Sequence, residues 1–194
     1  SCGYVYQDAD TLKYSLSPKF SKIGEAVRSQ YRIQDIVRPH LIELTERCHE
    51  SSCLAIEDNM MVVYLDVVES ADKMLRTFQK IGKEAPMHCT GVGKLLLLNY
   101  SPSQIKEFVE KKGLEMLTQN TITTYEELLE ELETVRQQGY AMDNEECEDG
   151  ARCIAAPIRD YSGKIIAGIS ISGPTNRITL KRIKPLKDIL LEIS

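Results

Sequence analysis

Two apolar runs near the C-terminus, "RCIAAPIR" (152–159) and "KIIAGISIS" (164–172), are separated only by Asp160-Tyr161-Ser162-Gly163. Such runs around a polar, glycine-ended turn predict a long β-hairpin, and no other feature restricts the fold as strongly. With a four-residue loop Arg159 stands opposite Lys164, so Cys153 faces Ser170 and Ala151 faces Ser172. Side chains alternate along a strand, so these four share one face of the ribbon while Ile154, Ile158, Ile169 and Ile171 take the other. The isoleucine face is a core layer. The small, weakly polar face either lets a helix pack closely or offers hydroxyls and a thiol to a ligand, and the pattern leaves both readings open.

A two-faced ribbon needs helices to cover it, and helical patterns are interspersed with the strands. Ile33, Ile36, Val37, Leu41 and Leu44 recur at helix spacing around Pro39, preceded by a shorter stripe of Phe20, Ile23, Gly24 and Val27 that reads as a linker helix. From Cys53 to about Arg76 the pattern turns to β, with Asp58-Asn59 as a tight turn. Ser101-Pro102-Ser103-Gln104 and Thr124-Tyr125-Glu126-Glu127 are capping boxes that start helices, and Thr179 is placed to cap a last helix through Ile193. At the N-terminus "GYVYQ" and "KYSLS" form a short hairpin across Asp8 to Thr11, too small to stand alone. The expected fold class is α+β (mixed α/β), a central, mainly antiparallel sheet flanked by helices.

The run "HCTGVGK" (88–94) opens a helix expected to end near Tyr100 and raises three chemistries. A phosphate loop fails, because His88 stands where the first Walker glycine belongs and Leu95 where the magnesium-binding hydroxyl belongs. A thiol nucleophile needs a base and a group to orient it. His88 and Cys89 are adjacent and point apart, and Cys153 meets His88 only if the fold brings them together, so a buried, inert cysteine stands beside the catalytic reading. The third chemistry is an anion site, since a helix N-terminus presents free N–H groups and glycine admits a ligand to them. Gly91 and Val92 would supply amides at one end of a pocket and the serines of the hairpin hydroxyls at the other. Asp143, just before the hairpin, could hold a ligand hydroxyl or amide, or simply cap a turn.

Charge and cysteines narrow the class. Twenty-four basic residues against 29 acidic ones give a net −5, the wrong sign for a module that holds nucleic-acid phosphates. Six cysteines without a basic and apolar leader read as reduced cytosolic thiols rather than disulfides. Cys48-His49 with Cys53 lacks a second ligand pair at finger-like spacing, so no structural metal site is expected, although a metal in the pocket stays open. No cofactor is expected. The longest apolar runs, such as Leu95 to Leu98, are far too short for a bilayer, so a membrane partner is not expected either.

The run "GYAMDNEECEDGARCIAAPIRDYSGKIIAGISISGP" together with "PMHCTGVGK" strongly resembles the effector-binding domain of IclR-type bacterial transcription regulators, over roughly residues 20 to 192. That resemblance implies a GAF-like fold, a small organic acid as effector, a homodimer or homotetramer, a cytoplasmic location and no enzymatic activity. It assigns residues 1–18 to the wing of a winged helix-turn-helix, 19–30 to a linker helix and 31–194 to the GAF-like domain. Operator DNA would then be read by a segment preceding Ser1, not by this chain. The pocket positions it implies are Gly91, Val92, Asp143, Ala151, Cys153, Ser170 and Ser172, with Met74 and Thr77 on a covering segment. Val92 stands where alanine is frequent and would narrow one wall, while Ala151 replaces a larger aliphatic residue and would open another. The reading from another class is a GAF-like enzyme with Cys153 or Cys89 as a reactive thiol. A purely structural dimerisation module, with no ligand, is the third.

Overall fold

The computed structural model describes residues 3–30, 33–70 and 79–194, and the chain divides into two compact units, residues 1–36 and 37–194. In the first unit β1 (Val5–Gln7) pairs antiparallel with β2 (Tyr14–Leu16). Their turn is tied by Asp8, whose Oδ1 accepts from the Asp10 and Thr11 amides and from Thr11 Oγ1. Helix α1 (Lys19–Gln30) follows, and Phe20 at its start meets Tyr4 edge to face with ring centroids 5.5 Å apart.

Helix α2 (Ile33–Cys48) carries Pro39 inside it and leads into the second unit, where it buries Val37, Leu41, Leu44, Thr45 and Cys48 along one stripe. Strands β3 (Ser51–Asp58) and β4 (Met61–Val68) form a hairpin whose two loop residues, Asn59 and Met60, both have positive φ. The turn therefore sits one residue later than Asp58-Asn59, in the mirror-image geometry that matches strand twist. After β5 (Glu84–Ala85) come helix α3 (Gly91–Leu97), α4 (Pro102–Lys112) and α5 (Tyr125–Gln138). Both capping boxes form as the sequence indicates: Ser101 Oγ accepts from the Gln104 amide, and Thr124 Oγ1 from the Glu127 amide. Helix α3 is shorter than expected, because the amides of Leu98, Asn99 and Tyr100 bond three residues back and tighten the chain into a 3-10 turn.

The chain closes with β6 (Ala141–Asn144), β7 (Ala151–Arg159), β8 (Ile165–Pro174) and α6 (Leu180–Ile193), and the sheet order is β5-β4-β3-β8-β7-β6, antiparallel at every pairing. This is an α+β fold. Among the described residues, α3, α4 and α5 share a core with Cys53, Ala55, Val62, Tyr64, Ala141 and Ala155 on one face of the sheet. Ser52, on the opposite face, donates to the Leu41 carbonyl of α2 at 2.8 Å. There the buried Ile154, Ile169 and Ile171 make the apolar layer anticipated for the hairpin, with Ile158 half-buried.

The hairpin register departs from expectation. Cys153 pairs with Ser172, Ala155 with Ser170 and Ala151 with Pro174, two residues beyond the partners that a four-residue loop would give. One residue is lost because Lys164 joins the loop, where its amide bonds Asp160 Oδ1 and Arg159 comes to face Ile165. The second is lost at a β-bulge, since Ile158 faces Ala167 and Ile166 is left over. A shift of two leaves every side chain on its face.

Candidate functional site

The pairings place polar groups in a row across the sheet. Asp143 on β6 stands beside Cys153 on β7, Cys153 beside Ser172 on β8, and Ser172 beside Ser51 on β3. The next row on the same face runs Ala141, Ala155, Ser170, Cys53. Helix α3 starts above this second row: a Cβ on Gly91 would lie 3.0 Å from Ala155 Cβ and 3.5 Å from the Ala141 carbonyl oxygen. Two alanines and a glycine thus let the helix settle on the sheet. Beside it opens a cavity of about 460 Å³, in the size range of small-molecule sites.

All seven described pocket candidates from the sequence line this cavity: Gly91, Val92, Asp143, Ala151, Cys153, Ser170 and Ser172. Met74 and Thr77 lie outside the described residues. The Lys94 amide is the first of α3 to bond back, to the Thr90 carbonyl at 3.0 Å, so those of Gly91 and Val92 are not used by the helix. On the floor, Ser170 Oγ and Cys53 Sγ are 2.9 Å apart, and Gln79 Nε2 donates to Ser172 Oγ at 2.8 Å. Asp143 Oδ1 accepts from the amides of Glu146 and Cys147 at 2.8 and 3.2 Å. It therefore caps a turn and lines the cavity at once. Burial pushes its carboxyl up to about 7, against two backbone hydrogen bonds that act the other way.

Two glycine roles differ from those expected. Gly93 is required by the protein itself, because a Cβ there would lie 2.3 Å from the Met87 carbonyl oxygen. Val92 directs its bulk at Gly168, where a Cβ would come within 2.8 Å of Val92 Cγ1. Its side chain is seated in the core over a glycine of β8, and the residue lines the cavity as well.

Lys94 settles what the end of "HCTGVGK" does. Its side chain is 1 % exposed, and Nζ donates to Glu131 Oε1, Glu146 Oε1 and the Met142 carbonyl at 2.7 to 2.8 Å. It ties α3 to α5, to β6 and to the turn that Asp143 caps, and it does not line the cavity.

The thiols are mostly unreactive. Burial pushes Cys153 up to about 12 and also raises Cys53, and His88 is turned away toward the Glu115 carbonyl. Cys89 Sγ points to the Pro86 carbonyl, and its interaction with the neighbouring Cys147 thiol raises Cys89 and lowers Cys147. The eased thiol is thus Cys147, which sequence reasoning passed over. It also passed over Tyr64 and Gln79. Tyr64 was legible, since Val62 and Tyr64 alternate inward along β4, whereas nothing local marks Gln79. Among the described residues no cluster of histidine, cysteine and acid side chains could hold a metal.

Residues 25–194 match the family model of the bacterial transcriptional regulator IclR C-terminal domain. The chain belongs to the IclR family. It is similar to the HTH-type transcriptional regulator KdgR of Dickeya chrysanthemi, 38 % identical over 179 residues, covering 92 % of this chain and 58 % of that protein. A crystal structure of the Thermotoga maritima IclR aligns with a TM-score of 0.86 at 34 % identity, covering 98 % of this chain and 76 % of that one. A double mutant of the PobR inducer-binding domain from Acinetobacter, in complex with 3-hydroxybenzoic acid, aligns at 0.77 and 28 % identity, covering 82 % and 93 %. The IclR relatives are named transcriptional regulators, and this chain is the C-terminal, effector-binding part of such a protein.

Proposed function

We propose that this domain senses a small organic acid in the cavity between α3 and the sheet and passes the signal to a winged helix-turn-helix on its N-terminal side. The observation that carries this is that the row Asp143–Cys153–Ser172 and the start of α3, whose Gly91 and Val92 amides the helix does not use, line one cavity. Amides suit a carboxylate, and Ser172 in the row suits the hydroxyl or oxo groups beyond it. The acid bound in the PobR complex supports the ligand class. Ala151 and Ser170 complete the floor. The thiols named for catalysis are held protonated, Cys153 by burial and Cys89 by its interaction with Cys147 and then by burial, which favours a sensor over an enzyme.

In this reading residues 1–18 are the wing, 19–30 the linker helix and 31–194 the sensor. The protein is a cytoplasmic homo-oligomer that meets operator DNA through its reader domain. Among the described residues no helix is long and apolar enough to cross a membrane. Ligand shifts the balance between subunit arrangements by its difference in affinity for them, and by nothing else. A thermal-shift screen with 2-oxo, sugar and aromatic acids tests the proposal. A ligand at one hundred times its Kd adds about 2.7 kcal/mol, roughly 5–11 °C for a domain of this size. A flat response across all three classes rejects a carboxylate sensor.

A further inference from the structure

The cavity presents a charge conflict to an acid. Its ionisable lining includes Glu84, Asp143, Glu148 and Asp149 against Lys83 and Arg152. Arg152 is committed: Nε donates to Asn144 Oδ1, Nη1 to the Ile178 carbonyl, and Nη2 lies 3.6 Å from Glu145. Lys83 acts electrostatically on Glu148 and Cys147. Among the described residues the positive group that acts on Asp143 itself is Lys94. Lys94 on α3 is spent on Glu131, Glu146 and the Met142 carbonyl. On its own turn Asp143 faces Glu146 and Cys147, across β7 it faces Cys153, and before α3 it faces Cys89.

Asp143 is nonetheless the lining carboxylate next along the sheet from the start of α3. Gly91 sits over Ala141 and Ala155, and Asp143 and Cys153 are the next residues on the same face, about 7 Å along the strands. Asp143 is 7 % exposed, its Oδ1 is filled by two amides, and its Oδ2 accepts from none of the described residues. A small acid on the Gly91 and Val92 amides therefore brings a second carboxylate to this bare oxygen. Where the two carboxylates come within hydrogen-bond distance, they share a proton rather than both staying ionised.

We propose that Asp143 enters the effector complex as the neutral acid, donating its O–H to the anionic effector, so that binding takes up one proton from solvent. This rests on reading the cavity as a carboxylate site. The proton goes to Oδ2, and no covalent bond changes. Burial already prepares the carboxyl by pushing it up to about 7. A second carboxylate raises it further, so the complex stays protonated where the free protein does not.

The test is calorimetric titration of the whole chain with pyruvate, gluconate and 3-hydroxybenzoate, at pH 6 to 9, in pairs of buffers that differ in ionisation enthalpy. The expected result is uptake of close to one proton at pH 8 and above. Affinity should fall about tenfold per pH unit above neutrality, roughly a hundredfold between pH 6 and 9. Asp143→Asn keeps an oxygen for the Glu146 and Cys147 amides and offers an N–H where the acid had its O–H. It should bind at pH 9 about as tightly as the unaltered protein does at pH 6, without proton uptake. Binding with no buffer-dependent heat and a flat pH profile overturns the proton coupling while leaving the acid sensor standing. No binding of any probe at any of these pH values overturns both.

Discussion

Replacing Lys94 by methionine removes one ammonium group and keeps almost all of the side chain's volume. In the folded protein that ammonium holds two carboxylates and a carbonyl at 2.7 to 2.8 Å while itself 1 % exposed. The losses are unequal. Glu131 is 28 % exposed and can turn to water, but Glu146 is 10 % exposed and its Oε2 already lacks a hydrogen-bond partner. Most of the damage therefore falls on Glu146. Leaving one buried member of an ion pair unpartnered costs about 3–5 kcal/mol. In urea unfolding followed by circular dichroism, the midpoint should fall with the slope unchanged. The melting temperature should drop by roughly 6–20 °C. The pH dependence has a definite sign. Burial raises Glu146, so the folded state binds its proton more tightly than the unfolded state does. Without Lys94 that raise grows, so the variant loses stability as pH rises and regains part of it as pH falls. Lys94→Met with Glu146→Gln should recover more than about 1 kcal/mol of the loss at neutral pH. A single-variant loss under about 1 kcal/mol, or no recovery in the pair, refutes the claim that this cluster is a buried, mutually dependent unit.

Gly93→Ala sets a methyl group against the Met87 backbone, 2.3 Å from its carbonyl oxygen, which no rotamer relieves. Despite alanine's better helix propensity, a loss above about 2 kcal/mol is expected in the same urea assay, and a stabilised variant would show that the backbone yields. Asp143→Asn should change the pH profile of stability without ligand. Burial holds the folded carboxyl at about 7, far above an ordinary aspartate, so the unaltered protein loses about 4 kcal/mol as pH rises from 4 to 8 through this group alone. The asparagine variant lacks that loss. Parallel stability curves for the two proteins over this range would contradict the burial of Asp143.

How much of this was legible in the sequence depends on the kind of pattern that carries it. The caps at Ser101 and Thr124 are local chemistry and form as the residues indicate. The floor of the cavity was also legible, although its pairing was not. The period of a strand is two, and the turn and the bulge at Ile166 together displace β8 by two residues, so Cys153, Ser170 and Ser172 keep their face while changing partners. Had only one of these irregularities occurred, the serines would have joined the isoleucine layer.

The glycines of "HCTGVGK" show the opposite case. Their composition suggests room for a ligand, yet Gly91 is opposed by Ala155, Gly93 by Met87, and Val92 by Gly168. None of those partners can be read from the motif, because each arrives through tertiary packing. The same holds for Lys94, whose acid partners lie 37 and 52 residues further on. What these contacts share is that they fix the height and tilt of α3 above the sheet. In the proposed site the two amides that would meet an anion are carried by that helix, so their aim depends on residues that do not line the cavity. A 1 Å displacement is enough to spoil hydrogen bonds to a small acid. Lys94 and Gly93 are therefore expected to govern affinity through geometry, and the carboxylate screen on their variants should report weakened binding even under conditions where the domain remains folded.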